Sequence, residues 1–217
     1  MGWDQVLLAV AADANGVDAG IGLHRAGVWV WLPGGERCGL AITLRERRRP
    51  GRDEPLAVAG AGELASRRAL ALAERVPHGG PEASLGFDDL RAIAPLDPDR
   101  WVEGNANLLL PRHCRGRRLA WVGRFSFAAA LRALAADILP RSDLIVGTGM
   151  APVNRTLEGM LALCSPGSEV ALVGPSVPLG EGPFDYGISL LCGGCVEQPQ
   201  RVMAGIRQGA NFHQIHP

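Results

Sequence analysis

The sequence contains no lysine: all of its 22 basic residues are arginines, set against 22 acidic ones, for a formal net charge of +0. Without a net field, nothing draws the chain towards nucleic acid or an acidic membrane surface, and neither is expected as a partner. With alanine, glycine and proline abundant, the missing lysine reads as coding bias. The one basic cluster, Arg45 to Arg49 broken by Glu46, reads as a solvated loop. No apolar run approaches the ~20 residues that a membrane-spanning helix needs. Residues Met1 to Val10 carry Asp4 and no basic stretch, unlike a secretory signal. Cysteine is scarce and odd in number, at five, in a chain long enough to bury a core. That argues against a disulfide scaffold and makes a reducing, cytoplasmic setting the expectation.

What is present is globular composition, 47% hydrophobic and 20% charged over 217 residues. Residues 4–14 read as a short helix, with Val6, Leu7 and Val10 on one side. The runs Gly27 to Leu32 and Gly39 to Leu44 read as strands, with the turn chemistry of Pro33-Gly34-Gly35-Glu36 between them. Ala65, Ala69, Leu72 and Val76 recur at helical spacing, predicting a helix over 62–76 that Pro77 ends. Residues 77–96, rich in Gly, Pro and Asp, read as connecting structure with one or two helical turns. Asp97-Pro98 is a cap followed by a first-turn proline, opening a helix with Val102, Ala106 and Leu109 on one face. Asn105 sits within that mostly apolar stripe and needs hydrogen-bond partners, from the protein or from a ligand. The pattern alone favours the protein.

From residue 117 apolar runs alternate with helical stretches. The runs are Leu119 to Gly123, Leu144 to Gly147, Glu169 to Gly174 and Ser189 to Cys192. Between them fall helices carrying Phe127, Leu131 and Leu134, then Val153, Leu157, Met160, Leu161 and Cys164. A last helix is predicted from about Pro199 to Gln208. Strands apolar on both faces and flanked by helices make an α/β domain, a Rossmann-like parallel sheet covered on both sides.

In such sheets ligands lie beyond the carboxyl ends of the strands, where three loops are unusual. In Gly123-Arg124-Phe125-Ser126, Ser126 caps the next helix, and Phe125 either lines a pocket or packs beneath the loop. In Gly147-Thr148-Gly149-Met150-Ala151-Pro152, the cap positions of the following helix lack a side-chain oxygen, so its first N–H groups must find other acceptors. Asn154 and Glu158 share the polar face of that helix. In Gly174-Pro175-Ser176-Val177-Pro178, two prolines fix a serine in rigid backbone. Ser176 lacks the elbow and the histidine of a nucleophile, which leaves a binding hydroxyl. Gly147-x-Gly149 has no third glycine and follows the domain's second strand, so no nicotinamide cofactor is expected. A methyltransferase is disfavoured because no Gly-x-Gly follows the first strand. Cys192-Gly-Gly-Cys195 and His213-Gln-Ile-His216 have the look of zinc half-sites. Residues three apart in a strand point to opposite faces, however, and incidental cysteines are the better reading of that pattern.

Together, Ala120-Trp-Val-Gly-Arg-Phe125, Asp143 to Gly149, Val153-Asn-Arg-Thr-Leu157 and Val173-Gly-Pro-Ser-Val-Pro178 resemble the putative heavy-metal chelation domain family. Order and spacing agree over roughly residues 105–209. The resemblance implies a small α+β domain like the enolase N-terminal domain (residues 1–116), a Rossmann-like domain (117–217), and a cleft between them. It also turns Asn105 towards the cleft. Arg124 stands where the family often has His and Ser126 where Pro is common, and Cys192 and Cys195 are not a family feature.

The leading expectation is a small-molecule or metal-chelate ligand, pterin- or siderophore-like, held by Asn105, Phe125, Thr148, Asn154, Thr156, Gly174, Pro175 and Ser176. One rival is an enzyme that condenses or hydrolyses such a chelator, with Glu158 as its acid or base. Another is a direct metal-binding module built from Cys192, Cys195, His213 and His216, taking a divalent transition metal. A homodimer is the default assembly.

Overall fold

The computed structural model describes residues 17–22, 27–32, 35–44, 58–65, 67–123 and 135–215. The predicted helices over 4–14 and around Phe127 lie outside these residues, as does Phe125. Two sheets organise the remainder. Strands β1 (Val17–Gly22), β2 (Gly27–Leu32) and β3 (Gly35–Leu40) form an antiparallel meander. Strands β4 (Leu119–Val122), β5 (Leu144–Thr148), β6 (Glu169–Val173) and β7 (Leu190–Cys192) form a parallel sheet in the order β4-β5-β6-β7.

The second hydrophobic run enters its strand earlier than its pattern suggests. β3 spans 35–40, not 39–44, because it pairs with β2 from Leu32↔Gly35 to Gly27↔Leu40. Residues 41–44 continue beyond the ladder, and serine hydroxyls receive two of their amides. Ile42 N–H donates to Ser176 Oγ (3.1 Å) and Leu44 N–H to Ser84 Oγ (2.7 Å). Strand β1 carried no signal in the sequence reading.

The largest difference lies in residues 77–96, which hold α2 (Gly80–Ile93), the longest helix among the described residues, preceded by the short α1 (Ala69–Ala73). Helix α1 falls inside the predicted 62–76, but the flanking segments are turns and a 3-10 turn at Val76–His78. Helix α2 escapes pattern reading because it is buried on every side. Residues 83–90 are all buried, Ser84, Asp88 and Asp89 among them, so no polar stripe marks a helical period. Gly79 and Gly80, both at positive φ, shape its start, and Pro81 occupies the first turn.

Helix α2 packs on β2 and β3, and Gly39 faces it. Glu36, an odd number of residues away and so on the opposite face, accepts from Gln200 Nε2 (3.3 Å) of α7 (Pro199–Arg207). Helix α7 packs against all three strands of the meander, so the chain's last long helix returns to the N-terminal sheet.

The predicted stripe of Val102, Ala106 and Leu109 is not a buried face. The helix there is α3 (Ala106–His113), entered through a 3-10 turn at Pro98–Arg100. Val102 is 82% exposed and Leu109 40%, while Leu110 is the residue that packs on the sheet. Pro111 within the helix removes an interior donor.

The parallel sheet carries apolar residues on both faces, as its continuous runs predict. Leu144, Val146 and Ala171 meet Leu110 of α3 on one side. Ile145, Val170 and Leu172 join Leu157 and Met160 of α5 (Leu157–Leu161) in the main core. The short α4 (Met150–Val153) precedes α5, and α6 (Gly182–Asp185) lies between β6 and β7. No described helix is long and apolar enough to cross a membrane.

Ion pairs tie together the amino ends of the strands. Asp143, before β5, is gripped by Arg118, and Glu169, opening β6, by Arg117 and His113. Hydrogen bonds from Arg118 hold the Asp143 carboxyl down at about 2, and those from Arg117 and His113 hold Glu169 at about 2. Both carboxyls titrate lower in the folded chain than in the unfolded one. Their contribution is therefore present above a pH of about 4.5 and is lost as pH falls towards 2. An Asp143→Asn/Glu169→Gln variant is expected to show a flatter dependence of Tm on pH across that window. Added salt should flatten the wild-type profile, because the groups are solvent-facing and screened.

Candidate functional site

The order β4-β5-β6-β7 contains no reversal, so the described sheet has no switch point of the kind doubly wound sheets use for ligands. Among the described residues, the carboxyl edge of this sheet meets the N-terminal layer through Ser176 and Ile42. Two of the three singled-out loops are described there, and they press against each other. Gly149 N–H donates to Val173 O (2.8 Å), and a Cβ on Gly149 would lie 2.8 Å from Val177 Cγ2. Thr148 Oγ1 accepts from Met150 N (3.3 Å). Gly174 N–H donates to Cys192 O (2.9 Å), which seats Pro175 and Ser176. Ser176 is 1% exposed, its hydroxyl engaged by Ile42 N across the seam.

On the other flank of the 174–178 loop, Arg91 of α2 joins three segments. Its Nε donates to Val177 O (3.0 Å), its Nη2 to Gly194 O (2.7 Å) and its Nη1 to Leu40 O. Burial lowers its pKa to about 10, with Asp88 opposing the fall, so the guanidinium stays charged at neutral pH. Beside it opens a cavity of about 30 Å3, lined by Arg37, Cys38, Arg91, Leu179, Gly194 and Cys195 among others. That is room for an ion or one or two waters, well short of a whole organic ligand. Arg37 donates through Nη2 to Ala94 O (2.7 Å). Cys38 is half-buried, and burial, with Asp88 adding to it, pushes its thiol up to about 12. Cys195 is exposed and lines the same hollow. The hollow thus brings two cysteines and two arginines together where the two sheets meet.

The C-terminal segment also has relatives. Residues 130–217 match DUF364, described as putative heavy-metal chelation. Two solved structures of DUF364 proteins of unknown function share the fold over nearly the whole chain. One, from Pyrococcus horikoshii, has a TM-score of 0.69 at 18% identity, covering 98% of this chain and 94% of that one. The other, from Desulfitobacterium hafniense DCB-2, has a TM-score of 0.68 at 18% identity, covering 99% and 95%. None of the curated proteins compared matches the chain.

Within the DUF364 segment the remaining predicted residues fall in separate places. Asn154 and Thr156 form a local turn, Asn154 Oδ1 accepting from Thr156 N (3.2 Å) and Thr156 Oγ1 (2.6 Å). Arg155 between them has φ 61, a left-handed value uncommon outside glycine. Glu158 accepts from the Tyr186 hydroxyl (2.8 Å) on the helical layer, and neither residue lines the hollow. Cys192 is half-buried on β7; Cys195 reaches the hollow, and Cys192 is not among its lining residues. His213 lies in α8 (Phe212–Ile215), its side chain outside the description, and His216 lies outside the described residues. Among the described residues no group of three or more His, Cys, Asp or Glu is placed to hold a metal ion. Upstream of the DUF364 match, Asn105 is exposed and its carbonyl accepts from Leu108 N (2.9 Å) and Leu109 N (3.1 Å) at the start of α3. Sequence reasoning missed Arg37, Cys38 and Arg91. Arg91 is separated from its carbonyl partners by 51, 86 and 103 residues, so no local motif could have revealed the cluster.

Proposed function

We propose that the protein binds an anionic metal chelate at the seam between its two sheets, in metal or chelator handling. The observation that supports this reading is the hollow itself, where Arg37 of β3 and Arg91 of α2 share a lining with Cys38 and Cys195. Guanidinium groups bind carboxylate oxygens through strong, directional, charge-assisted hydrogen bonds. The hollow has room for one charged group of a chelate, whose remainder would lie outside it. The family's description as heavy-metal chelation is consistent with such a ligand.

Equilibrium dialysis of the full chain against ferric citrate, with metal-free citrate alongside, tests the reading. The chelate is expected to bind about tenfold more tightly than citrate, a difference of ~1.4 kcal/mol. Arg37→Gln should weaken chelate binding by about tenfold through loss of one charge-assisted contact. Equal retention of citrate and ferric citrate, or an Arg37→Gln variant that binds as well as wild type, would overturn it.

A further inference from the structure

We infer that Cys38 and Cys195 form a two-thiolate site for a soft monovalent cation of the Cu(I) class, held directly by the protein without a chelator. The inference shares the hollow and its two arginines with the chelate reading but places the metal on the two cysteines themselves, so each has its own test. Four features support it. First, both cysteines line one cavity whose volume, about 30 Å3, suits an ion. Second, the two cysteines arrive from different layers, Cys38 from β3 and Cys195 from the loop after β7. A bound ion would therefore bridge the sheets at the point where Arg91 already joins their carbonyls.

Third, the donor number selects the metal. Zinc in a protein site takes four ligands, and calcium and magnesium take six or more oxygens. Among the described residues no set of three or more His, Cys, Asp or Glu is available. Thiolates alone, few in number, favour Cu(I), which accepts low coordination. Fourth, the charges balance. Two thiolates on a monovalent cation leave one negative charge in a half-buried place, and Arg37 and Arg91 line the same hollow to offset it. Asp88, on the helix turn before Arg91, acts in the opposite sense on Cys38, and Arg91 stands against it.

The chemistry is a displacement in which both thiols lose their protons to solvent, two sulfur–metal bonds form and the metal's bonds to its previous ligands break, with no change of oxidation state. Cys38 is a poor nucleophile because the thiolate is the reactive species and its thiol is held protonated. A soft metal competes for that sulfur where an electrophile at neutral pH would not.

The test uses Cu(I) itself, added anaerobically to the reduced full chain in competition with a chromophoric Cu(I) chelator. Wild type is expected to retain a single equivalent. Cys38→Ser and Cys195→Ser should each weaken retention by roughly 100-fold or more, since each removes half of the ligand set. Cys192→Ser should stay within about threefold of wild type, because Cys192 does not line the hollow. Cys195 is exposed, so its serine variant tests the site even if Cys38→Ser fails to fold. Arg37→Gln should weaken ferric citrate by about tenfold and leave one equivalent of Cu(I) bound less tightly, whereas Cys195→Ser should abolish Cu(I) retention, so the two readings fail separately. Copper retention equal in wild type and Cys195→Ser, or lost equally in Cys192→Ser, would overturn the assignment.

Discussion

Arg91→Met should lower the thermal midpoint by roughly 10 °C. Leaving a carbonyl without its donor costs about 1–3 kcal/mol, and each kcal/mol shifts a chain of this size by about 2–4 °C. Methionine approximates the length of the arginine stem, so the loss comes mainly from the head group. Three carbonyls then lose a charged donor together: Leu40 O at the end of β3, Val177 O in the proline-framed loop and Gly194 O after β7. The cation that faces buried Asp88 goes as well. Lysine at the same place offers a point charge where a planar fork is needed, so Arg91→Lys should recover only part of the loss. Differential scanning calorimetry of the three proteins reads this directly. If methionine and wild type melted together, the three hydrogen bonds would not be what holds the sheets in register.

That the joint turns on one arginine explains why the C-terminal half was legible in the sequence and the site was not. The strands of the parallel sheet are buried on both faces, so Leu144 to Val146 and Val170 to Leu172 must be apolar without interruption. A composition rule detects such a requirement. Crossovers between parallel strands must be helical and of a minimum length, which fixed the rhythm from residue 117 onward. Helix α2 obeys a different constraint. It is enclosed by β2, β3 and α1, so its sequence is set by how closely its neighbours approach. Gly86 is an example: a Cβ there would lie 2.7 Å from Val76 N and 2.9 Å from Leu72 O. Small and acidic residues inside a helix look like a loop to any reading based on periodicity. Ser176 was singled out for its rigid frame, and the rigidity is real, but the hydroxyl meets Ile42 N across the seam. A rigid serine and a ligand-binding serine carry the same sequence signature, and only the opposite layer distinguishes them. Cys38 and Arg37, in contrast, lie in a strand whose neighbours give no hint that α2 and the loop after β7 will meet there.

Close approach also sets the second large effect, Gly39→Ala. A methyl group at Gly39 would lie 1.8 Å from Asp88 O, 2.8 Å from Asp88 C and 3.0 Å from Ala92 N. All three are backbone atoms of α2, so no side chain can rotate aside and strand or helix must move. Overpacking of a rigid core costs about 1–3 kcal/mol and more where backbone shifts are forced, and a contact below 2 Å belongs at or beyond the upper limit. The variant is expected to melt about 10 °C or more below wild type, or to fail to accumulate as folded protein. Gly159→Ala supplies the contrast, since nothing lies within 4 Å of its added methyl group in α5. There alanine should stabilise by about 0.5–1 kcal/mol, because glycine is the poorer helix former. Urea titrations of both variants would show opposite shifts in midpoint with little change in slope. The consequence of Gly39→Ala should extend past stability. Its neighbours in the chain are Cys38, which lines the hollow, and Leu40, whose carbonyl Arg91 holds. A strand pushed off α2 carries both away from the loop after β7. Any folded Gly39→Ala protein should therefore lose Cu(I) retention in step with Cys38→Ser, although no metal donor has been replaced.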